Sequence, residues 1–157
     1  MTGAAPNARG WADHLGYIKA VMEDLAVLDI RTSHLTHASP DDVPGDQDGW
    51  THRRAARFHL RGWELRPWYE SGDEYAFVEW DEECGWVVVK GWDSNHGMGE
   101  TRYVLGLGLV PEASNVALRI ELLLDNESPY GRDAEPLRNA VDYDPSLEEA
   151  LAAYLPP

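Results

Sequence analysis

The chain has 157 residues, 43% of them hydrophobic and 26% charged, with a formal net charge of −15. That length suits one domain around a single core, and the charge sets its field against a phosphate backbone and toward basic partners. No apolar run approaches the ~18 residues of a membrane-spanning helix, and a lone cysteine, Cys84, excludes an intramolecular disulfide.

Residues 1–10, rich in Gly, Ala, Pro and Asn, show no periodicity and read as a disordered tail. They lack the basic start and apolar run of a signal peptide, so a cytoplasmic location is expected, in keeping with an unpaired thiol. From Trp11 a helical stripe begins, with Leu15, Ile18, Met22, Leu25 and Leu28 recurring at three- and four-residue steps. Gly16 weakens that helix without breaking the pattern. Residues 30–36, IRTSHLT, alternate loosely and predict a first strand. Residues 39–49, SPDDVPGDQDG, predict an exposed acidic loop, since Pro, Gly and Asp neither pack nor pair easily.

Arg57, His59 and Arg61 alternate with Phe58 and Leu60, which predicts a strand with a basic outer face. Past Gly62 the apolar parity shifts to Trp63 and Leu65, as at a β-bulge. Next comes YAFVEWDEECGWVVVKGW, residues 75–92, the segment around which the fold is expected to form. Its two arms, 75–80 and 86–92, are rich in β-branched and aromatic residues, and Gly85 ends the acidic connection as a positive-φ hairpin residue. Residues 93–100, DSNHGMGE, read as a two-glycine loop, and 101–109 as a further strand loosened by Gly106 and Gly108. Pro111 and Glu112 mark a helix start, with Ala113, Val116, Ala117, Ile120, Leu123 and Leu124 as its buried face. Residues 126–144 read as an irregular linker with a short helical turn around 137–141. Asp144 as N-cap, Pro145 and Glu148-Glu149 announce a last helix. The prediction is a single α+β domain over 1–157: a mostly antiparallel meander of three to five strands, packed by one N-terminal and two C-terminal helices.

The residues EWDEECGWVVV (79–89), set between a helix and a strand followed by Pro111 and a second helix, resemble a family of small actinobacterial proteins classed as a domain of unknown function. In that family an apolar run leads into a Trp-Asp-Glu turn, then Gly-Trp and a second apolar run. Trp80, Asp81, Glu82, Gly85 and Trp86 match it, and the likeness spans residues 15–125. The acidic loop 39–49 and the chain beyond 125 fall outside it. The resemblance implies a bacterial cytoplasmic protein with this layout, and no reaction, ligand or catalytic residue.

Candidate chemistry is thin. Cys84 stands among Asp81, Glu82 and Glu83, whose charges raise a thiol's pKa and make it a poor nucleophile. His34 and His37, followed by Asp41 and Asp42, have zinc-ligand types, but three residues along a strand place the imidazoles on opposite faces. An EF-hand loop opening at Asp93 needs a bidentate glutamate where Val104 stands. Gly106-Leu107-Gly108 lacks the third glycine of a dinucleotide fingerprint, Pro111 standing in its place. No nucleophile-elbow spacing is present. Arg53, Arg54, Arg57, Arg61 and Arg66 near Trp63 and Trp68 suit a nucleic-acid groove in residue type, yet with a charge of −15 they are better explained by pairing with acids on neighbouring strands. No cofactor or metal is expected, and neither nucleic acid nor a membrane is the expected partner.

The chain contains seven tryptophans. Alternation predicts that some of Trp63, Trp80, Trp86 and Trp92 face away from a single helix layer, and exposed aromatic patches mark interfaces. With Asp81, Glu82, Arg57 and Arg61 these form the candidate partner-binding set. The expected function is a non-enzymatic acidic module that binds a protein, or a second copy of itself, through a tryptophan-bearing sheet face. The alternatives are an acidic inhibitor that mimics nucleic acid, and a small-ligand binder or enzyme with a pocket near His59, Trp63, Asp81 and His96.

Overall fold

The computed structural model describes residues 12–38, 53–61, 73–94, 97–125, 136–140 and 142–155. The elements run α1 (Leu15–Val27), β1 (Arg31–Ala38), β2 (Ala55–Arg61), β3 (Asp73–Asp81), β4 (Gly85–Ser94), β5 (Gly97–Val104), α2 (Ala113–Asp125) and α3 (Pro145–Ala152). All five strands form one sheet in sequence order, every neighbour antiparallel. This is the α+β meander that the apolar patterning predicts. No helix among the described residues is long and apolar enough to cross a membrane.

Strand alternation decides what each sheet face carries. Register places Ala56 and Phe58 of β2 beside Trp80 and Val78 of β3, which in turn meet Trp86 and Val88 of β4, and Leu60 and Ala76 join the same core. These side chains, with Tyr103 and Leu105, form the main core against Tyr17, Ile18, Val21 and Leu25 of α1, Val116, Ala117, Ile120 and Leu124 of α2, and Leu147 and Leu151 of α3. All three helices therefore contribute to one side of the sheet. A second, smaller cluster, Phe77, Val87 and Val89 with Val104 against it, lies on the opposite side and, among the described residues, contains none from a helix.

Several expectations shift. The arms of the central hairpin are longer than predicted, and the segment read as a two-glycine loop is mostly strand, because β4 runs to Ser94 and β5 starts at Gly97. Backbone pairing from Asp93↔Met98 to Val87↔Val104 overrides the low strand propensity of glycine. The bulge expected near Gly62 falls outside the described residues; one is found in β1 instead, between Ser33 and Thr36, with His34 at φ 55°. Residues 137–140 form no helix. α2 begins at Ala113, with the Glu112 carbonyl accepting from Asn115 and Val116 N–H and the Tyr154 hydroxyl accepting from Ala113 N–H. Asp144 caps α3 as predicted, its Oδ1 accepting from Ser146 N at 3.0 Å and Leu147 N at 3.3 Å.

Gly16 has a packing reason that propensity hides. A Cβ on Gly16 would press directly on the carbonyl oxygen of Tyr154, just past α3, so only glycine lets the two helices approach this closely. Gly16→Ala is expected to lower stability by about 1–3 kcal/mol through overpacking, although alanine improves intrinsic helix propensity by about 1 kcal/mol. Urea denaturation of the variant checks the sign.

Candidate functional site

The β3–β4 turn holds the most highly organised polar chemistry. Asp81 Oδ1 accepts from the backbone N–H of Glu83 and of Cys84, each at 2.8 Å, which folds the turn on itself. Gly85 follows at φ 79°, and a Cβ there would meet the Gly108 carbonyl oxygen at 2.6 Å. Glu82 is thereby swung inward and fully buried.

Arg54, equally buried, meets it. Glu82 Oε2 accepts from Arg54 Nε at 2.9 Å and from its backbone N at 2.5 Å. The other edge of the guanidinium donates to Glu148 of α3, Nη1 to Oε1 at 2.8 Å and Nη2 to Oε2 at 2.6 Å. Nη1 also donates to the Ala12 carbonyl at 2.7 Å, while Ala12 N–H donates to Glu148 Oε1 at 2.8 Å. Arg138 completes the group, Nη1 donating to Glu82 Oε1 at 3.1 Å. Two arginines and two glutamates thus balance in charge. Burial pulls the Arg54 pKa down, but the hydrogen bonds it donates to Glu148 and Glu82 and the charges of these carboxylates outweigh it, and the net shift is upward. Beside them Glu83 takes Arg53 Nη1 at 2.7 Å and the Ala140 N–H at 2.9 Å. The Arg54 guanidinium and the Glu82 and Glu148 carboxylates are all engaged by other parts of the chain, so the arrangement is a structural clamp.

Cys84 is half-buried, and its thiol pKa is raised to about 11, chiefly by burial and next by Asp81. At neutral pH it is a thiol, not a nucleophilic thiolate.

His14 sits against this clamp, almost fully buried, its ring stacked on Trp80 at 5.5 Å. Its Nε2 is 2.9 Å from the Ala55 carbonyl, which assigns the ring proton to Nε2. Nδ1 has no hydrogen bond and lies 3.6 Å from Asp13 Oδ1. Burial lowers the His14 pKa; His37 and Arg54 add to this, while the Ala55 bond and Asp13 oppose it.

Trp80 and Trp86 belong to no exposed patch. Trp80 and Trp86 are 1% and 2% exposed, under the helices. Trp80 Nε1–H donates to the Leu109 carbonyl at 2.7 Å, and Trp86 Nε1–H to the Tyr17 hydroxyl at 3.0 Å. Their parity puts them on the helix-covered face, where indoles bury the most area. Glu82 is likewise withdrawn from any binding face because it neutralises Arg54 and Arg138, and the Asp81 carboxylate is engaged by its own turn. Trp63 and His96 lie outside the described residues, and Trp92 is described only by its pairing with Glu74 and Gly99. His59 and Asp81 stand at opposite ends of the β2–β3 ladder, so they do not share a pocket. His34 and His37 part as predicted, one ring meeting His59 at 5.6 Å and the other His14 at 6.0 Å.

Arg57 and Arg61 do lie where alternation puts them, on the helix-free face. There Glu79 is shared by Arg57 and Arg102, each with a 2.5 Å contact. The Arg57 guanidinium carbon stands 4.6 Å from the centre of the Phe77 ring. Tyr75 stacks on Phe77 at 5.9 Å and 8°, and its hydroxyl donates to Glu100 Oε2 at 3.1 Å. His59 closes the other side of Phe77 at 5.7 Å. The sequence marks this face only by the basic alternation of β2; the aromatic and Glu79 contacts needed the register.

No family model, curated protein or solved structure matches the chain. The Trp80-Asp81-Glu82 and Gly85-Trp86 motif is therefore read by its geometry, in which every member serves the turn or the core.

Arg54→Met is expected to cost about 3–5 kcal/mol, because it strands buried carboxylates; chemical denaturation measures it. A His14 pKa that is lower in the folded state than its unfolded value near 6.5 means that the neutral ring is favoured on folding. That contribution is present above about pH 6.5 and is lost as pH falls from there through the folded value. Melting temperature should therefore decline from pH 7 toward pH 5, and His14→Gln, whose amide still donates to Ala55, should flatten that decline.

Proposed function

We propose that the protein is a non-enzymatic interaction module that engages a protein partner, or a second copy of itself, through the helix-free face of its sheet. The observation that supports this is the one-sided packing: α1, α2 and α3 all join the core on one face, and the cluster of Phe77, Val87, Val89 and Val104 on the other includes, among the described residues, none from a helix. Exposed Tyr75, partly exposed Arg57 and Arg102, and exposed His59 and Arg61 surround that cluster. Tyrosine and arginine are the residues on which binding energy concentrates when a partner seals them from water. An acidic remainder orients a basic partner and speeds encounter.

The net charge of −15 favours a second reading, an acidic protein that occupies the basic site of its target. Capture from native lysate with identification by mass spectrometry tests both. On the first reading the complex survives about 1 M salt, where charge interactions are screened within about 3 Å, and is lost in a Tyr75→Ala, Arg61→Glu variant that melts like the wild type. A complex that dissolves in salt and ignores the variant supports the acidic mimic and overturns the sheet-face reading.

A further inference from the structure

β1 is one edge of the sheet, and its helix-free side meets that of β2 in a corner of cations. Arg31 is the register partner of Arg61, and two residues along the same face Ser33 is the partner of His59. The β1 bulge holds His34 at φ 55°, which brings its ring within 5.6 Å of His59, edge to face. Its Nδ1 stands 2.9 Å from the Ser33 hydroxyl. Arg31, His34, His59 and Arg61 are all exposed and Ser33 is half-buried.

Neither Arg31 nor Arg61 has a carboxylate partner among the described residues. That is unexpected in a chain with 28 acids and 13 basic residues, and Arg57 and Arg102 on the same face do share Glu79. Like charges directly opposite in an antiparallel pair oppose each other. A left-handed backbone at a residue other than glycine is a second unfavourable feature, and such features gather at ligand sites. Both sit side by side, and one bound negative group offsets the first and makes use of the second.

We propose that this corner binds a compact oxyanion of the phosphate type, held by the forked donors of Arg31 and Arg61, with Ser33, His34 and His59 as further donors. Arginine suits this ligand because its planar fork matches two oxygens at once. The ligand is compact because each further phosphate of a polymer would extend into the field of a chain at −15. The groups facing His59 are Arg31 and His34 from β1, Arg57 and Arg61 from its own strand, and Tyr75 and the doubly paired Glu79 from β3. Burial first, then His34 and Arg57, hold its pKa below the ordinary value; a dianion reverses that balance, so binding takes up a proton. This site stands apart from the protein-binding reading and does not require it.

The test is an NMR titration of the isolated, full-length chain with inorganic phosphate, at constant ionic strength against chloride. Saturable shifts of the His34 and His59 ring protons and the Arg31 and Arg61 Nε–H signals are expected, with the His59 titration moving to higher pH. Arg31→Gln with Arg61→Gln should melt no lower than the wild type in chloride, since it removes a repulsion, and should bind phosphate about tenfold more weakly or worse. Arg61→Lys, which retains the charge but not the fork, should fall between. Equal responses to phosphate and chloride, undiminished binding by the double variant, or a lower melting temperature for it would each overturn the site. Tighter binding of oligo-dT than of phosphate at the same salt would make the corner a nucleic-acid surface and overturn the compact ligand.

Discussion

The Arg54 guanidinium holds together segments that no single strand or helix joins. One face of its fork bonds Glu82 in the β3–β4 turn, and the other bonds Glu148 in α3 while reaching the backbone of Ala12 ahead of α1. Arg138 adds the segment between α2 and α3. Taking such charges out of water costs several kcal/mol per ion, so the pairs are weak as a source of net stability. What they impose is a condition: any arrangement that separates one member leaves a bare charge in a dry interior. The segment before α1, the start of β2, the central turn and α3 must therefore assemble together or not at all.

With that corner held, the two faces of the sheet meet different fates. One is sealed by aliphatic helix residues and by Trp80 and Trp86, whose indole N–H groups find oxygen acceptors. The other carries a small apolar cluster under aromatic rings and arginines, with Glu79 bridging two of them. Buried aromatics make the first face an interior. Solvent-reaching arginine and tyrosine make the second a surface, and both the protein-binding reading and the anion corner draw on it.

Much of this layout was legible along the chain. Three- and four-residue spacing marked α1 and α2, Asp144-Pro145 marked α3, and period-two alternation marked β2, β3 and β4 with the correct residues on each face. These are local properties, because a helix or strand shows its buried side in its own residue spacing. The β4–β5 turn was less legible, since Gly97 and Gly99 pair as strand only once β4 lies beside them.

The candidate site was harder to read, for a physical reason. Alternation says which residues share a face but not which face the helices cover, so Trp80 and Trp86 passed for a binding surface when they are core. Glu82 and Glu148 read as a turn acid and a helix-start acid, and Arg54 as one of five arginines that pair with acids on neighbouring strands; nothing in their spacing shows that these three meet. Pairing across 28 and 94 residues is a tertiary fact, since charges far apart in sequence find one another only when the fold excludes water from between them. The sequence by itself determined the elements, their order and the composition of each face. The tertiary structure alone decided which face is interior, which charges are buried together, and which arginines find a carboxylate among the described residues.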